Sequence, residues 1–396
     1  MSTMDFTGLK NFIDMMAEKK SPGCSVNVFL KGKEVFSYSA GYSDIESGTA
    51  YSGKEYINIY SCSKIATVTA GAQLVERGAI LLSDPLYEYI PEYKTMYIKD
   101  RDGNVREATQ PIRVGDLFSM TTGFHYNIGA PSIKKAGELT GGRYDTLEVV
   151  RAFAQEPLSF EPGSRWQYSF SHDVLGGLIE VVSGMRFRDY MKKNIFDPLG
   201  MDKSVYHSTP EIKEQMATQY TFEPFSALDM SDLAEVQRIG CTSEGRYVKC
   251  GKDVSYVLGP EFDSGGAGIT TTPDDYVKLI AALAGGGLGL TGERILSSNT
   301  VDLLKTNRLG EAQLKDLHTW IALLGYGYGM GVRTHMDRGS SGSNAPVGEF
   351  GWGGAAGATA IADTDNRLAV FFAQHCLNPR EPWYQPRLRN VVYGCL

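Results

Sequence analysis

A serine three residues ahead of a lysine, at the mouth of an apolar helix, is where this chain first offers chemistry. The residues are Tyr60-Ser61-Cys62-Ser63-Lys64, followed by Ile65-Ala66-Thr67-Val68-Thr69-Ala70-Gly71-Ala72-Gln73-Leu74-Val75-Glu76-Arg77-Gly78. Small and apolar side chains cover most of the second part, which predicts a buried helix stopped by Gly78. Ser61 then stands at the helix N-terminus, where unpaired N–H groups and the helix dipole favour negative charge. Lys64 follows one turn later on the same face. A serine hydroxyl becomes a nucleophile when a nearby base takes its proton. A lysine kept neutral by burial or by a neighbouring cation can be that base. On these residues alone, a serine that merely caps a core helix is the competing reading. Ser-x-x-Lys occurs again as Ser132-Ile133-Lys134-Lys135. That copy follows Pro131 and runs into polar, Gly-rich sequence, so a solvated loop is expected there.

The elements that must position Ser61 and Lys64 can be read in order. Phe6, Leu9, Phe12, Ile13 and Met16 give Phe6–Lys19 a helical period, broken by Pro22-Gly23. Cys24–Leu30 and Glu34–Ala40, joined by Lys31-Gly32-Lys33, read as a β-hairpin. Tyr56–Tyr60 is a short run into the Ser61 helix. Leu82–Leu86 turns into a short helix, Ile112–Met120 is another, and Thr121–Tyr126 is a loop. Helices are expected over Thr146–Ala154, Val174–Val182 and Phe187–Ile195. Residues 205–262 have no readable period. Phe262–Gly268 is a glycine loop, Pro273 opens a helix to about Ala284, and Val301–Asn307 is helical. Strands are expected over Tyr326–Arg333, Trp352–Ala362 and Leu368–Gln374, the last two joined by the turn Asp363-Thr364-Asp365-Asn366. Strands at both ends with helices between predict an α+β fold. It has one antiparallel sheet built from both termini, flanked by helices, with an inserted, mainly helical lobe. One catalytic domain over 1–396 is expected, with a sheet lobe at about 1–60 and 265–396 and a helical lobe at about 61–264.

Composition narrows the function. The 396 residues are 42% hydrophobic and 21% charged, the mark of an ordinary globular chain. A net charge of -7 argues against nucleic acid or an anionic membrane as partner. The N-terminus lacks the basic and apolar regions of a signal peptide, and no stretch of about 18 apolar residues offers a membrane span. A cytoplasmic protein is therefore expected. The six cysteines have no metal-ligand spacing and read as mostly reduced thiols, with Cys241 and Cys250 able to pair across a loop. The six histidines form no metal spacing either, so no metal and no cofactor are expected. Gly287-Leu288-Gly289-Leu290-Thr291-Gly292 matches a nucleotide-binding pattern but follows a helix instead of a strand, which argues against that use. His172 lies four residues after Tyr168, but no acidic motif backs a Ser–His hydrolase. Cys62 is read as a packing residue.

Three short motifs stand in order: Ser61-x-x-Lys64, Tyr168-Ser169-Phe170 and Trp352-Gly353-Gly354. With Pro162-Gly163, Pro198-Leu199-Gly200-Met201 and Ser264-Gly265-Gly266-Ala267-Gly268, the chain resembles the serine β-lactamase and penicillin-binding-protein superfamily. The similarity covers roughly residues 20–390 and is nearest to class C β-lactamases and their esterase relatives, the family VIII carboxylesterases. The resemblance implies that Ser61 is acylated, that Lys64 is its partner and base, and that Tyr168 passes protons to the leaving group. It implies an oxyanion hole from the N–H groups of Ser61 and Ala355, where one donor is worth about 3 kcal/mol of transition-state stabilisation.

Two departures bear on substrate. The family's lactamases and peptidases carry Lys-Thr-Gly or a histidine equivalent at the third motif, and that cation helps hold a substrate carboxylate. Here the position is Trp352, with one N–H donor and no charge. The asparagine of the second motif is Phe170. Both changes remove polar recognition and add apolar area. The expected substrate is a neutral, hydrophobic small-molecule ester with a short to medium acyl chain. Trp352, Gly353, Gly354, Phe170, Phe124 and Tyr126 are the candidate binding residues, while Phe124, Tyr126, Phe170 and Trp352 could equally be core. Arg333 could reach a substrate carboxylate but is read as a surface charge. A β-lactamase or D-alanyl-D-alanine peptidase, an acyltransferase using the same acyl-enzyme, and a catalytically silent binding protein are the competing readings.

Overall fold

A computed structural model describes residues 4–100, 102–225, 244–252, 258–377 and 380–396. Its centre is an eight-stranded antiparallel sheet. The strands in chain order are β1 (Gly23–Leu30), β2 (Lys33–Asp44), β3 (Thr49–Ala50), β4 (Tyr326–Tyr328), β5 (Arg333–His335), β6 (Phe350–Gly351), β7 (Thr359–Asp363) and β8 (Leu368–Gln374). Their order across the sheet is β4-β5-β6-β7-β8-β1-β2-β3, so strands from the two ends of the chain meet at β8 and β1. An antiparallel sheet built from both termini and flanked by helices is the architecture expected from the sequence.

The β8 sequence shows why it sits in the middle. Leu-Ala-Val-Phe-Phe-Ala-Gln is buried at every position. Leu368, Val370 and Phe372 point to one face and Ala369, Phe371 and Ala373 to the other, as the period of two demands. The first face is covered by two helices, α1 (Thr7–Lys19) and α5 (Glu381–Gly394), through Leu9, Ile13, Met16, Leu388 and Val392. The second face packs on α4 (Pro273–Ala284), where the Tyr276 ring lies 5.0 Å from that of Phe371. Between the sheet's two halves of sequence lie α2 (Ser63–Glu76) and α3 (Ser171–Ser183). Both are buried over most of their length.

The structure corrects several expectations. Tyr326–Arg333 is not one strand: it is β4 and the start of β5, with a turn at Gly331 (φ 76°) that only glycine adopts easily. Trp352–Ala362 likewise breaks, since residues 353–357 form a tight turn before β7. The second Ser-x-x-Lys copy is no solvated loop. Pro131–Leu139 is a helix, with Pro131 at its first turn and Ser132 and Ile133 buried. The unreadable span holds a hairpin, Gln219–Pro224 with Gly245–Gly251, extended by Cys376–Leu377. Cys241 lies outside the described residues, and Cys250 is exposed. The helix α5 had no sequence signal because Pro382 and Pro386 interrupt its pattern. Among the described residues no helix is long and apolar enough to cross a membrane.

Phe371→Ala is expected to cost about 3–5 kcal/mol of unfolding free energy, because it empties the contact between β8 and α4. Urea unfolding measures this; a loss below 1 kcal/mol would show that α4 does not depend on that contact.

Candidate active site

Ser61 sits in a single 3₁₀ turn, Tyr60–Cys62, that runs directly into α2. Tyr60 takes a left-handed conformation (φ 46°), unusual for a residue with a β-carbon. Several bonds hold the turn in place. The Tyr276 hydroxyl donates to the Cys62 carbonyl at 2.5 Å, and the Ile269 N–H donates to Ser63 Oγ at 3.0 Å. The turn also touches the third motif. A β-carbon on Gly354 would lie 2.1 Å from the Ile59 carbonyl oxygen, so only glycine lets the two backbones approach this closely.

Lys64 is fully buried, and three oxygens surround its Nζ. The Gly266 carbonyl lies at 2.7 Å, the Tyr126 hydroxyl at 3.3 Å and Ser61 Oγ at 3.4 Å. The Nζ also stands over the rings of Tyr168 and Tyr126, at 4.7 and 5.1 Å from their centroids. The hydroxyl facing the amine is that of Tyr126. The buried Tyr168 oxygen makes no hydrogen bond among the described residues. Tyr126, expected only as a pocket residue, therefore belongs to the Ser61–Lys64 cluster.

The glycine loop and α3 are locked together beneath Lys64. Asp173 Oδ1 accepts from Ser264 Oγ at 2.5 Å and from the Gly266 N–H at 3.2 Å. A β-carbon on Gly266 would lie 2.4 Å from Asp173 Oδ2, which explains a glycine there. Burial pushes the Asp173 carboxyl above its usual range, although the charge of Lys64 opposes the shift. Burial, aided by the charge of Lys64, pushes the neighbouring His172 down to about 3, so this imidazole is neutral. Its Nε2 lies 3.3 Å from the Phe118 carbonyl, and it does not line the cleft.

Above Ser61 opens a cleft of about 350 Å³, lined among others by Ser61, Tyr168, Trp320, Trp352, Gly353 and Ala355. Trp352 stacks on Tyr168 with centroids 5.8 Å apart, and Trp320 closes the group at 5.4 Å from Tyr168. Ser61 and Ala355 both line this cleft, Ala355 in the turn that follows the third motif. Phe124 and Phe170, expected as lining, are core residues. Phe124 packs edge-on against Phe153 at 5.3 Å, and Phe170 stacks on Phe262 at 6.2 Å. Arg333 is not a surface charge. It is 3% exposed and donates to Glu349 at 2.8 Å, a pairing that a strand pointing inwards requires.

The sequence reading missed four contributors. Asp173 gave a faint signal, an acid inside an apolar helix just after the second motif. Trp320, Glu381 and Gln385 gave none, for they lie in segments without a usable period. Among the described residues no cluster of ligands could hold a metal ion.

With this geometry in hand, comparison with known proteins gives the family. The chain belongs to the Beta-lactamase family, whose model matches residues 10–389. It is 25% identical over 367 residues to Esterase EstB of Burkholderia gladioli, covering 91% of this chain and 87% of that protein. It is 26% identical over 383 residues to Acyltransferase calJ of Penicillium decumbens, covering 92% and 85%. Among solved structures it is similar to EstCE1, described as a hydrolase with promiscuous acyltransferase activity. The TM-score is 0.74 at 20% identity, over 98% of both chains. This last likeness is one of fold.

Glu381, half-buried at the cleft, supplies a pH test. Burial pushes its carboxyl up to about 8 from 4.5. The neutral form is favoured in the folded protein, so its contribution is fully present below pH 4.5 and is lost as pH rises through about 8. Glu381→Gln, permanently neutral, should therefore gain stability relative to the parent as pH rises across that window. Thermal unfolding at several pH values checks this; a difference that does not change with pH would contradict it.

Proposed function

We propose that this protein is a serine hydrolase that cleaves carboxylic esters through an acyl-enzyme on Ser61. The observation that carries the reading is the Ser61 Oγ–Lys64 Nζ contact of 3.4 Å at the base of an aromatic-walled cleft. The Gly266 carbonyl and the Tyr126 oxygen also meet this Nζ, and they fix where it stands relative to Ser61 Oγ.

The reaction follows from that arrangement. Ser61 Oγ bonds to the ester carbonyl carbon while its proton passes to Lys64. The carbonyl electrons move onto oxygen, which the N–H groups of Ser61 and Ala355 stabilise, each by about 3 kcal/mol. Collapse breaks the bond to the alkoxy oxygen, and the departing alkoxide takes a proton from the Tyr168 hydroxyl at the cleft wall, which recovers one from Lys64, the holder of the Ser61 proton, once that hydroxyl turns towards the amine. Water then attacks the acyl-enzyme by the same steps in reverse, returning the Ser61 hydroxyl. Tyr126 holds the amine in register between Gly266 and Ser61.

The walls favour neutral, hydrophobic esters with short to medium acyl chains. Trp320, Leu323 and Trp352 offer area for dispersion, and the cation nearest the third motif, Arg333, is held by Glu349. A β-lactam carboxylate would find no cation at position 352, which weighs against a lactamase or peptidase. Transfer of the acyl group to an alcohol or amine in place of water is the second reading. The kinship with the acyltransferase calJ favours it.

Ser61→Ala should lose labelling by a fluorophosphonate and at least about 10³-fold in p-nitrophenyl butyrate hydrolysis. An unlabelled Ser61 in folded parent protein would overturn the proposal, as would faster turnover of a cephalosporin than of the ester. Tyr168→Phe should lower kcat by about 10²–10⁴, the usual worth of a positioned proton donor. A Tyr168→Phe enzyme with parental kcat would shift that role to Tyr126. Addition of a primary alcohol, with the new ester followed by chromatography, separates hydrolysis from transfer.

A further inference from the structure

A second cavity, of about 380 Å³, lies next to the cleft and shares Ala322 and Pro382 with it. Its walls include Ile321, Leu324 and Pro386, and Arg389 of α5 lines it. Arg389 is 1% exposed. Its Nε and Nη1 are both buried without a partner. An arginine keeps its charge in proteins and carries five donors, so a buried and unpaired one is costly.

The surroundings do not supply the missing charge. Arg389 and Arg333 both stand over the Tyr326 ring, at 5.1 and 5.4 Å from its centroid. The buried carboxylate between the strands, Glu349, gives Oε1 to Arg333, and its Oε2 has no partner. Two guanidinium groups thus share one carboxylate, which leaves one positive charge uncompensated. The Tyr326 hydroxyl, which also lines the cavity, is buried without a partner, while the serine and asparagine groups are engaged. Ser341 Oγ bonds His335 Nε2 at 2.7 Å, and Ser343 Oγ accepts from the Ala345 N–H at 3.2 Å. Asn390 Oδ1 accepts from the Asn344 N–H at 3.2 Å, and its Nδ2 donates to the Gly342 carbonyl at 3.4 Å. Arg389 is the one charged side chain that lines this cavity.

We propose that this cavity is a carboxylate-binding site in which Arg389 pairs with the anionic end of a small organic molecule. One uncompensated charge calls for a monoanion, and a phosphate dianion would need a second free cation. The apolar walls call for a hydrocarbon body behind the anion. The carboxylate is either the far end of an ester lying across both cavities or a separate molecule. The first source rests on the ester reading, and the second is independent of it.

Two probes separate these sources. Rates for p-nitrophenyl hexanoate and mono-p-nitrophenyl adipate, equal in chain length but differing by a terminal carboxylate, test the first. Calorimetric binding of free hexanoate to full-length Ser61→Ala protein tests the second and needs no catalysis. If the substrate carries the anion, the adipate ester has at least a tenfold higher kcat/KM than the hexanoate ester. Arg389→Met then removes that advantage while leaving hexanoate ester hydrolysis unchanged. If the anion is a separate molecule, hexanoate binds, and Arg389→Met in the same background weakens binding at least tenfold. Should Arg389→Met not fold, Ser340→Glu on the exposed rim adds a repelling carboxylate and is expected to weaken the same probe tenfold. The proposal is overturned if neither probe changes threefold in either folded variant.

Discussion

A buried amine has to be solvated by the protein, and the Nζ of Lys64 is solvated mainly by one backbone carbonyl, that of Gly266. At 2.7 Å this bond is the shortest that Lys64 makes. It obliges the glycine loop to lie against α2, and Asp173 keeps the loop there through Ser264 and the Gly266 N–H. A side chain on residue 266 would push into that carboxyl, so the loop must be glycine-rich for steric reasons, not for flexibility. The amine's remaining contacts, to Ser61 and Tyr126, are then fixed by where α2 and the loop already are. The Ser61–Lys64 pair is thus positioned from below, by groups that do not line the cleft.

The third motif does the same from the side. Gly354 comes close enough to Ile59 that the two backbones pack with no side chain between them. Tyr60 accepts a strained conformation in the same turn. Strain in the turn before Ser61 is held by the buried Tyr276 hydroxyl and by the third-motif backbone, both supplied from far along the chain. The cleft walls can vary in chemistry without disturbing this frame, since Trp320 and Trp352 contribute area above it.

Much of this was legible in the residues. The alternation of β8, the apolar run of α2 and the order of the three motifs each carry a local physical signature, and the sheet built from both termini follows from them. The Ser61–Lys64 spacing put two side chains on one helix face, which is a local property. What the sequence hid was non-local. Phe124 and Phe170 are aromatic in a motif region, and only packing against Phe153 and Phe262 decides that they are core. Arg333 reads as a surface charge until Glu349, from the next strand, is seen beside it. Tyr126 reads as pocket lining until its hydroxyl is seen on Lys64. Helix α5 was invisible because two prolines spoil its period, although its side chains cover a whole face of the sheet.

Those prolines have a consequence for the wall between the two cavities. Pro386 has no amide hydrogen, so the carbonyl one turn back, that of Pro382, receives no tie from it along the helix axis. Pro382 borders both cavities. The partition therefore lacks one rung of the helix's backbone ladder at the point where it borders both cavities.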